Sequence, residues 1–202
     1  MKENYIKLLC EQKFCPIIRH KDPEEVVKIA KALADAGVKI VEINVENSSI
    51  YRTIAETSQY VTVCAGGIIT TIQAEAAMLA GAKLLSSPIF SMNMVKYSKD
   101  QKVPYIAGTS TANEAYTAWK SRIPLIKIYP ISALGGVQYI SNILRPMPFL
   151  NVIVQGGVKI SEVKSYINAG VKVVGVGRDL YEKCSEREII ARTESLIRNL
   201  KD

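Results

Sequence analysis

The chain has a single histidine, His20, and its four cysteines, Cys10, Cys15, Cys64 and Cys184, form no CxxC pair and no regular spacing. So little imidazole and no paired thiols exclude a histidine-built metal centre and give no zinc or redox motif. We therefore expect no metal, and thiols that stay reduced and mostly buried, as in a cytoplasmic protein. Apolar runs of membrane-spanning length are missing too, and charged residues interrupt Met1 to Lys13, so neither a membrane partner nor a secretory leader is expected. Basic blocks are also lacking. The net charge of +7 is scattered along the chain and interspersed with acids. Without aromatic–basic interleaving or a recognition motif, it argues against nucleic acid as a partner. A dispersed positive charge suits an anionic small molecule equally well, by steering it.

What the chain does have is alternation. Its 202 residues, 48% of them apolar, are enough for one domain over 1–202 with a large core. After an amphipathic lead from Asn4 to Lys13, Cys15 to His20 reads as a strand, and Asp22-Pro23-Glu24 opens a helix that stops at Gly37. Further strands are expected over Val38 to Val45, Tyr60 to Cys64, Lys83 to Ser87, Val103 to Gly108, Pro124 to Pro130, Asn151 to Gln155 and Val171 to Val176. Helices fill the gaps, from Ser48 or Ser49 to Ser58, Thr70 or Thr71 to Gly81, Ser91 to Asp100, Thr111 to Arg122, Gly136 to Leu144 and Ser161 to Ala169. A last one runs from Ser185 to about Leu200. Eight such units predict an α/β chain with parallel strands, closed into a single (β/α)8 barrel with a short N-terminal helix. A doubly wound open sheet is the alternative that the spacing leaves.

Within Pro124-Leu-Ile-Lys-Ile-Tyr-Pro130, one lysine, Lys127, stands in a short apolar strand between two prolines. Removing an ammonium from water is costly; the cost falls if the amine is neutral, and a neutral amine attacks carbonyl carbon to give a Schiff base. The structural alternative is a buried stem whose head reaches out at the strand end. On the strand from Val38, Val41, Ile43 and Val45 share one face, while Glu42, Asn44 and Glu46 share the other. The polar face of a barrel strand points inside, which puts Glu42 within reach of Lys127 as a proton shuttle, or as a plain ion-pair partner. Two glycine clusters, Gly156-Gly157 and Gly175-Val-Gly177 with Arg178, sit in the loops that bind phosphate in barrels of this kind; tight turns would also explain them.

With these residues placed, the chain resembles the 2-keto-3-deoxy-6-phosphogluconate (KDPG) and 4-hydroxy-2-oxoglutarate (KHG) aldolases over nearly its whole length. Val41-Glu-Ile-Asn-Val is similar to the family's strand-two motif, and Lys127-Ile-Tyr-Pro130 to its lysine motif. Cys64-Ala-Gly-Gly67, Ser87-Pro88, Gly108-Thr-Ser-Thr111, Gly135-Gly136, Gly156-Gly157 and Gly175-Val-Gly177 follow its remaining motifs in order. The resemblance implies Lys127 as Schiff-base lysine and Glu42 as general acid/base. It implies substrate contacts from Arg19, Gly67, Pro88, Gly108, Tyr129 and Gln155, and phosphate contacts from Gly156, Gly157, Gly177 and Arg178. It further implies a homotrimer, a small 2-keto acid as substrate and no cofactor.

The departures are as specific. Gly67 stands where the family has a threonine beside the pyruvyl carboxylate, and Glu46 where many members carry an arginine. Gln155 replaces a threonine before the strand-seven glycines, and Arg178 a serine after the strand-eight glycines. Some relatives place an arginine at the end of strand one, as Arg19 does here, so carboxylate recognition is expected to shift there. The expected activity is a class I aldolase that cleaves a 2-keto-3-deoxy sugar acid to pyruvate and an aldehyde. Two alternatives belong to other classes: a barrel paralogue that binds a phosphorylated small molecule without turnover, and a phosphate-binding barrel enzyme handling thiamin or tryptophan precursors.

Overall fold

The computed structural model describes residues 4–201. Eight parallel strands pair in chain order: β1 (Phe14–Ile18), β2 (Ile40–Asn44), β3 (Thr62–Gly66), β4 (Leu84–Ser86), β5 (Tyr105–Thr109), β6 (Leu125–Ile128), β7 (Val152–Val154) and β8 (Val173–Val176). β8 returns to β1 through Phe14↔Val174, Cys15↔Gly175 and Pro16↔Val176. That pairing closes the sheet into the expected (β/α)8 barrel and rules out the open sheet.

Local chemistry sets the outer helices. In α2 (Pro23–Asp35) the Asp22 carboxylate accepts from Glu24 N at 2.9 Å and Pro23 takes the first turn, where no N–H is required. α4 (Thr71–Leu79), α6 (Ala112–Lys120) and α10 (Glu186–Asn199) begin with capping boxes, Thr70–Gln73, Thr111–Glu114 and Ser185–Glu188. Their apolar faces, with those of α3 (Ile50–Thr57), α5 (Met92–Asp100) and α9 (Val163–Asn168), bury against the outward residues of the strands in one continuous cluster.

A second, smaller cluster fills the barrel itself. Ile40, Leu84, Leu125 and Val173 come from the even-numbered strands, and Cys15, Cys64, Ile106 and Ile153 from the odd ones. These are the alternating layers that a closed eight-stranded barrel imposes. The short α1 (Tyr5–Gln12) plugs the floor: Leu9 joins the interior cluster, and the Gln12 amide bonds to Phe14 O at 2.8 Å and Ile40 O at 2.9 Å. Two residues further up the even strands, the same alternation yields a different layer, Glu42, Ser86, Lys127 and Gly175, all buried. Above it come Ile17, Gly66, Gly108 and Gln155 from the odd strands.

Several boundaries shift by one or two residues from expectation, and two of the differences have a clear local cause. β3 is Thr62–Gly66 rather than 60–64, because Gly66 pairs with Asn44 while Tyr60 is exposed. The helix after β6 comes in two pieces, α7 (Ile131–Leu134) and α8 (Gly136–Leu144). Gly135 and Gly136 take φ of 111° and 64°, which breaks the run, and four residues are too few to show a helical period.

Candidate active site

A cavity of about 650 Å³ opens at the C-terminal ends of the strands, and the polar layer forms its floor. Along β6, Leu125 and Lys127 turn inward while Ile126 and Ile128 join the outer cluster. Lys127 is therefore committed to the interior by the period of its own strand, and only 3% of it is exposed. Glu42 is committed likewise from β2 and is 1% exposed. Their side chains meet with Nζ 3.4 Å from Oε1. Thr109 fastens the strand by donating to Lys127 O at 3.0 Å.

Beneath the pair, the Cys15 and Cys64 thiols are pushed well above the ordinary range, first by burial and next by the charge of Glu42. They stay neutral and form a dry base. Desolvating two charges is expensive for a fold, and an apolar pair of similar size would be no worse for stability. The arrangement suits chemistry instead: an amine at the foot of a cavity and a carboxyl group beside it, both almost wholly buried. Ser86 shares their layer, and its buried hydroxyl has no hydrogen-bond partner among the described residues.

Glycines make the room. A Cβ on Gly66 would sit 2.5 Å from Glu42 Oε1 and 2.7 Å from Glu42 Cγ. One on Gly175 would come within 2.5 Å of Gln155 Cγ and 2.8 Å of Ile17 Cδ1. Gln155 uses that space to reach across the barrel and donate from Nε2 to Glu42 Oε2 at 2.8 Å. The sequence marked Gln155 as an altered recognition residue; its contact with Glu42 was not foreseen.

The rim carries the remaining candidates. Gly67, Pro88 and Tyr129 line the cavity. Gly67 has φ of 73°, a region that β-branched side chains avoid, so the missing threonine goes with a backbone that disfavours one. Gly108 does not line the cavity: a Cβ there would strike the Pro88 backbone, so this position lets the loop after β4 cross the end of β5.

At the end of β1, Arg19 Nε lies 2.9 Å from Glu46 Oε1. With its oxygen turned toward the guanidinium, the Asn44 amide accepts from Arg19 Nε at 3.1 Å and Nη2 at 3.2 Å. The Tyr181 hydroxyl accepts from Arg19 N at 3.0 Å, and burial keeps that phenol protonated. Asn44 and Tyr181 were not singled out from sequence.

Opposite, Gly156 and Gly157 take φ of 97° and 77°. A Cβ on Gly156 would lie 2.9 Å from Pro130 Cα, and one on Gly157 would collide with the Ser132 hydroxyl. Gly177 and Arg178 complete this side, with Lys159 as a further cation that sequence reasoning missed. Arg178 is mostly exposed, and Glu182 stands 3.9 Å from its guanidinium. Besides Lys127 and Glu42, the cavity is lined by the cations Arg19, Lys159 and Arg178 and the acids Asp179 and Glu182. Among the described residues, no group of three or more histidine, cysteine or acidic side chains could hold a metal.

The sequence profile of the KDPG and KHG aldolases matches residues 6–194. The 2-dehydro-3-deoxy-phosphogluconate aldolase of Treponema pallidum is 28% identical over 155 residues, 75% of this chain and 74% of that protein. The 2-dehydro-3-deoxy-6-phosphogalactonate aldolase of Escherichia coli K12 is 29% identical over 170 residues, 82% of each chain. Among solved structures, the KDPG aldolase of Legionella pneumophila, with pyruvate captured as a covalent carbinolamine, superposes with a TM-score of 0.86 at 20% identity, over 97% of this chain and 99% of that one. With its profile matched from the first helix to the last, its barrel closed and a lysine–glutamate pair at the floor of the cavity, the chain belongs to the KDPG and KHG aldolase family of carbon–carbon lyases.

Proposed function

We propose that this aldolase cleaves a phosphorylated 2-keto-3-deoxy sugar acid to pyruvate and an aldehyde such as glyceraldehyde 3-phosphate, through a Schiff base on Lys127. The observation that carries the reading is the buried contact of Lys127 Nζ with Glu42 Oε1 at the cavity floor. Glu42 takes the proton that frees the Lys127 amine. The amine attacks C2 of the keto acid, and the C–N bond forms as the C=O π pair moves onto oxygen. The proton shed by the nitrogen is relayed to that oxygen, giving a neutral carbinolamine. Glu42 then gives a proton to the resulting hydroxyl, which leaves as water as the nitrogen lone pair forms C=N. Next, Glu42 removes the proton of the C4 hydroxyl. The C3–C4 bond breaks, its electron pair flows to the iminium nitrogen, and an aldehyde departs from the enamine. Protonation at C3 and addition of one water return pyruvate and the amine, balancing the water lost earlier.

Arg19 is the cation placed to meet the carboxylate of the substrate, in place of the groups lost at Gly67 and Glu46. Gly156, Gly157, Gly177, Arg178 and Lys159 border the part of the cavity suited to a phosphate, by charge and by close backbone approach. The phosphorylated substrates named for the relatives from Treponema pallidum and Escherichia coli support this choice. We read the chain as one domain acting in the cytoplasm as a homotrimer; Ile72 and Leu79 on α4, 78% and 84% exposed, support self-association.

The test is pyruvate release from paired substrates with and without the phosphate. The phosphorylated member should be preferred, and Arg178→Ala should raise its KM about tenfold or more, the worth of one charge-assisted hydrogen bond. An unchanged KM would remove Arg178 from the site. Pyruvate release from neither substrate would remove the substrate assignment.

A further inference from the structure

The Glu42 carboxylate is held at both oxygens, and the two holders are not equivalent. Oε1 faces the Lys127 amine at 3.4 Å, a group that can donate a proton or take one up. Oε2 accepts from the Gln155 amide at 2.8 Å, a group that donates and cannot accept through its nitrogen. A proton placed on Oε2 would point at the hydrogens of the amide. A proton on Oε1 faces the nucleophile and the cavity.

We propose that Gln155 is a positioning residue that confines the proton traffic of Glu42 to Oε1; this inference rests on the roles read above for Lys127 and Glu42. The support for Gln155 is built into the barrel. Its backbone is tied to the β6 end at both groups, with N donating to Ile128 O at 3.1 Å and O accepting from Ile131 N at 2.8 Å. Its side chain is 3% exposed and passes through the space that Gly175 leaves. In carbinolamine dehydration, Oε1 then gives its proton to the departing hydroxyl. In C–C cleavage the same oxygen takes the C4 hydroxyl proton, and Oε2 remains bonded to the amide throughout. The titratable groups around Glu42 are Lys127 from β6 and the thiols of Cys15 and Cys64 from β1 and β3, and those thiols stay neutral.

The experiment follows solvent deuterium into the methyl group of pyruvate by NMR, together with borohydride trapping of the pyruvate adduct. The variants are Gln155→Met, Gln155→Glu, Glu42→Gln, Lys127→Met and the double variant Glu42→Gln/Gln155→Met. Gln155→Met should still give the trapped adduct, while the exchange rate at saturating pyruvate falls about 10–100-fold, the worth of a hydrogen bond to a charged group. In the Glu42→Gln background the same substitution should cost nothing further, because Gln155 acts through Glu42. Gln155→Glu should be slow at neutral pH and recover on acidification, when the two carboxyl groups share a proton. A filler of the same volume would not give that recovery, and it keeps the test open if Gln155→Met fails to fold.

Wild-type exchange in Gln155→Met, or an equal loss in both backgrounds, would overturn the proposal. So would a Gln155→Glu variant that shows no recovery. Continued exchange in Lys127→Met would instead overturn the reading on which the proposal rests, whatever the Gln155 variants do.

Discussion

Arg19 and Glu46 meet at 2.9 Å across the tops of β1 and β2, so a departure from the family pattern, Glu46, pairs with an arginine that some relatives share. An acid at position 46 looks like the loss of a carboxylate-binding group. In the barrel it holds, together with Asn44, the arginine that we propose meets the carboxylate instead.

The pair is a positioning device more than a stabilising one. Its side chains are 57% and 44% exposed, and exposed pairs contribute about 0–1 kcal/mol. Arg19→Met should therefore leave the melting temperature nearly unchanged while raising the KM for pyruvate about tenfold. Differential scanning fluorimetry beside steady-state kinetics checks both halves. Equal affinity in wild type and Arg19→Met would take the carboxylate away from Arg19.

Gly66 is needed for its missing side chain. It lies at the end of β3, outside the left-handed region, so alanine costs no backbone strain there, but its Cβ would collide with the Asn44 side-chain amide and press on the Glu42 carboxylate at 2.5 Å. Gly66→Ala should fold and still lose turnover about 10²-fold, as small displacements of a catalytic group do. Glu42→Gln should lose about 10²–10⁴-fold, the usual share of acid–base catalysis. Circular dichroism and kinetics on the two variants test this, and full activity in Gly66→Ala would show that the carboxylate has room to move.

The dry base of the barrel can be probed by thiol alkylation. Cys15 and Cys64 are buried and protonated, whereas Cys10 and Cys184 are partly exposed. Burial also pushes the Cys10 thiol up, so Cys184 should react first, Cys10 more slowly, and the interior pair only on unfolding. Peptide mass mapping after brief native labelling gives the order. Early label on Cys64 would mean an open barrel floor.

A pH effect is expected at the start of α6. The Ser110 and Thr111 N–H groups, together with the Thr111 hydroxyl, donate to the Glu114 carboxylate and hold it below the usual carboxylate range. A depressed folded-state value stabilises the fold above the unfolded carboxylate range, and that contribution is lost as pH falls through the folded value. Thr111→Ala should cost about 1 kcal/mol at neutral pH. The deficit relative to wild type should shrink in acid, as denaturant titrations at several pH values would show. A deficit independent of pH would remove the carboxylate from the cap.

The barrel was legible because its period is written twice, in the strand–helix alternation and in the caps at Asp22, Thr70, Thr111 and Ser185. Lys127 and Glu42 were legible for the opposite reason, as charges in apolar strands whose alternation turns them inward. Less legible was anything that depends on which inward residues share a height. Gln155 and Glu42 are 113 positions apart, and only the stagger of the closed sheet brings them together. Gly175 and Gly66 read as loop or turn glycines, yet their function is to leave a side chain's volume empty inside the barrel. Arg19 could be named, but its partner in Glu46 followed only from the adjacency of β1 and β2. Lys159 and Tyr181 gave no sequence signal, since nothing local sets them apart from other surface lysines and core tyrosines.

The most direct test is to map where pyruvate attaches. Borohydride reduction in the presence of pyruvate, followed by proteolysis and mass spectrometry, should place one reduced pyruvyl adduct on the peptide containing Lys127. Lys127→Met should yield none and lose all turnover. An adduct on Lys159, or on any lysine other than Lys127, would contradict the account.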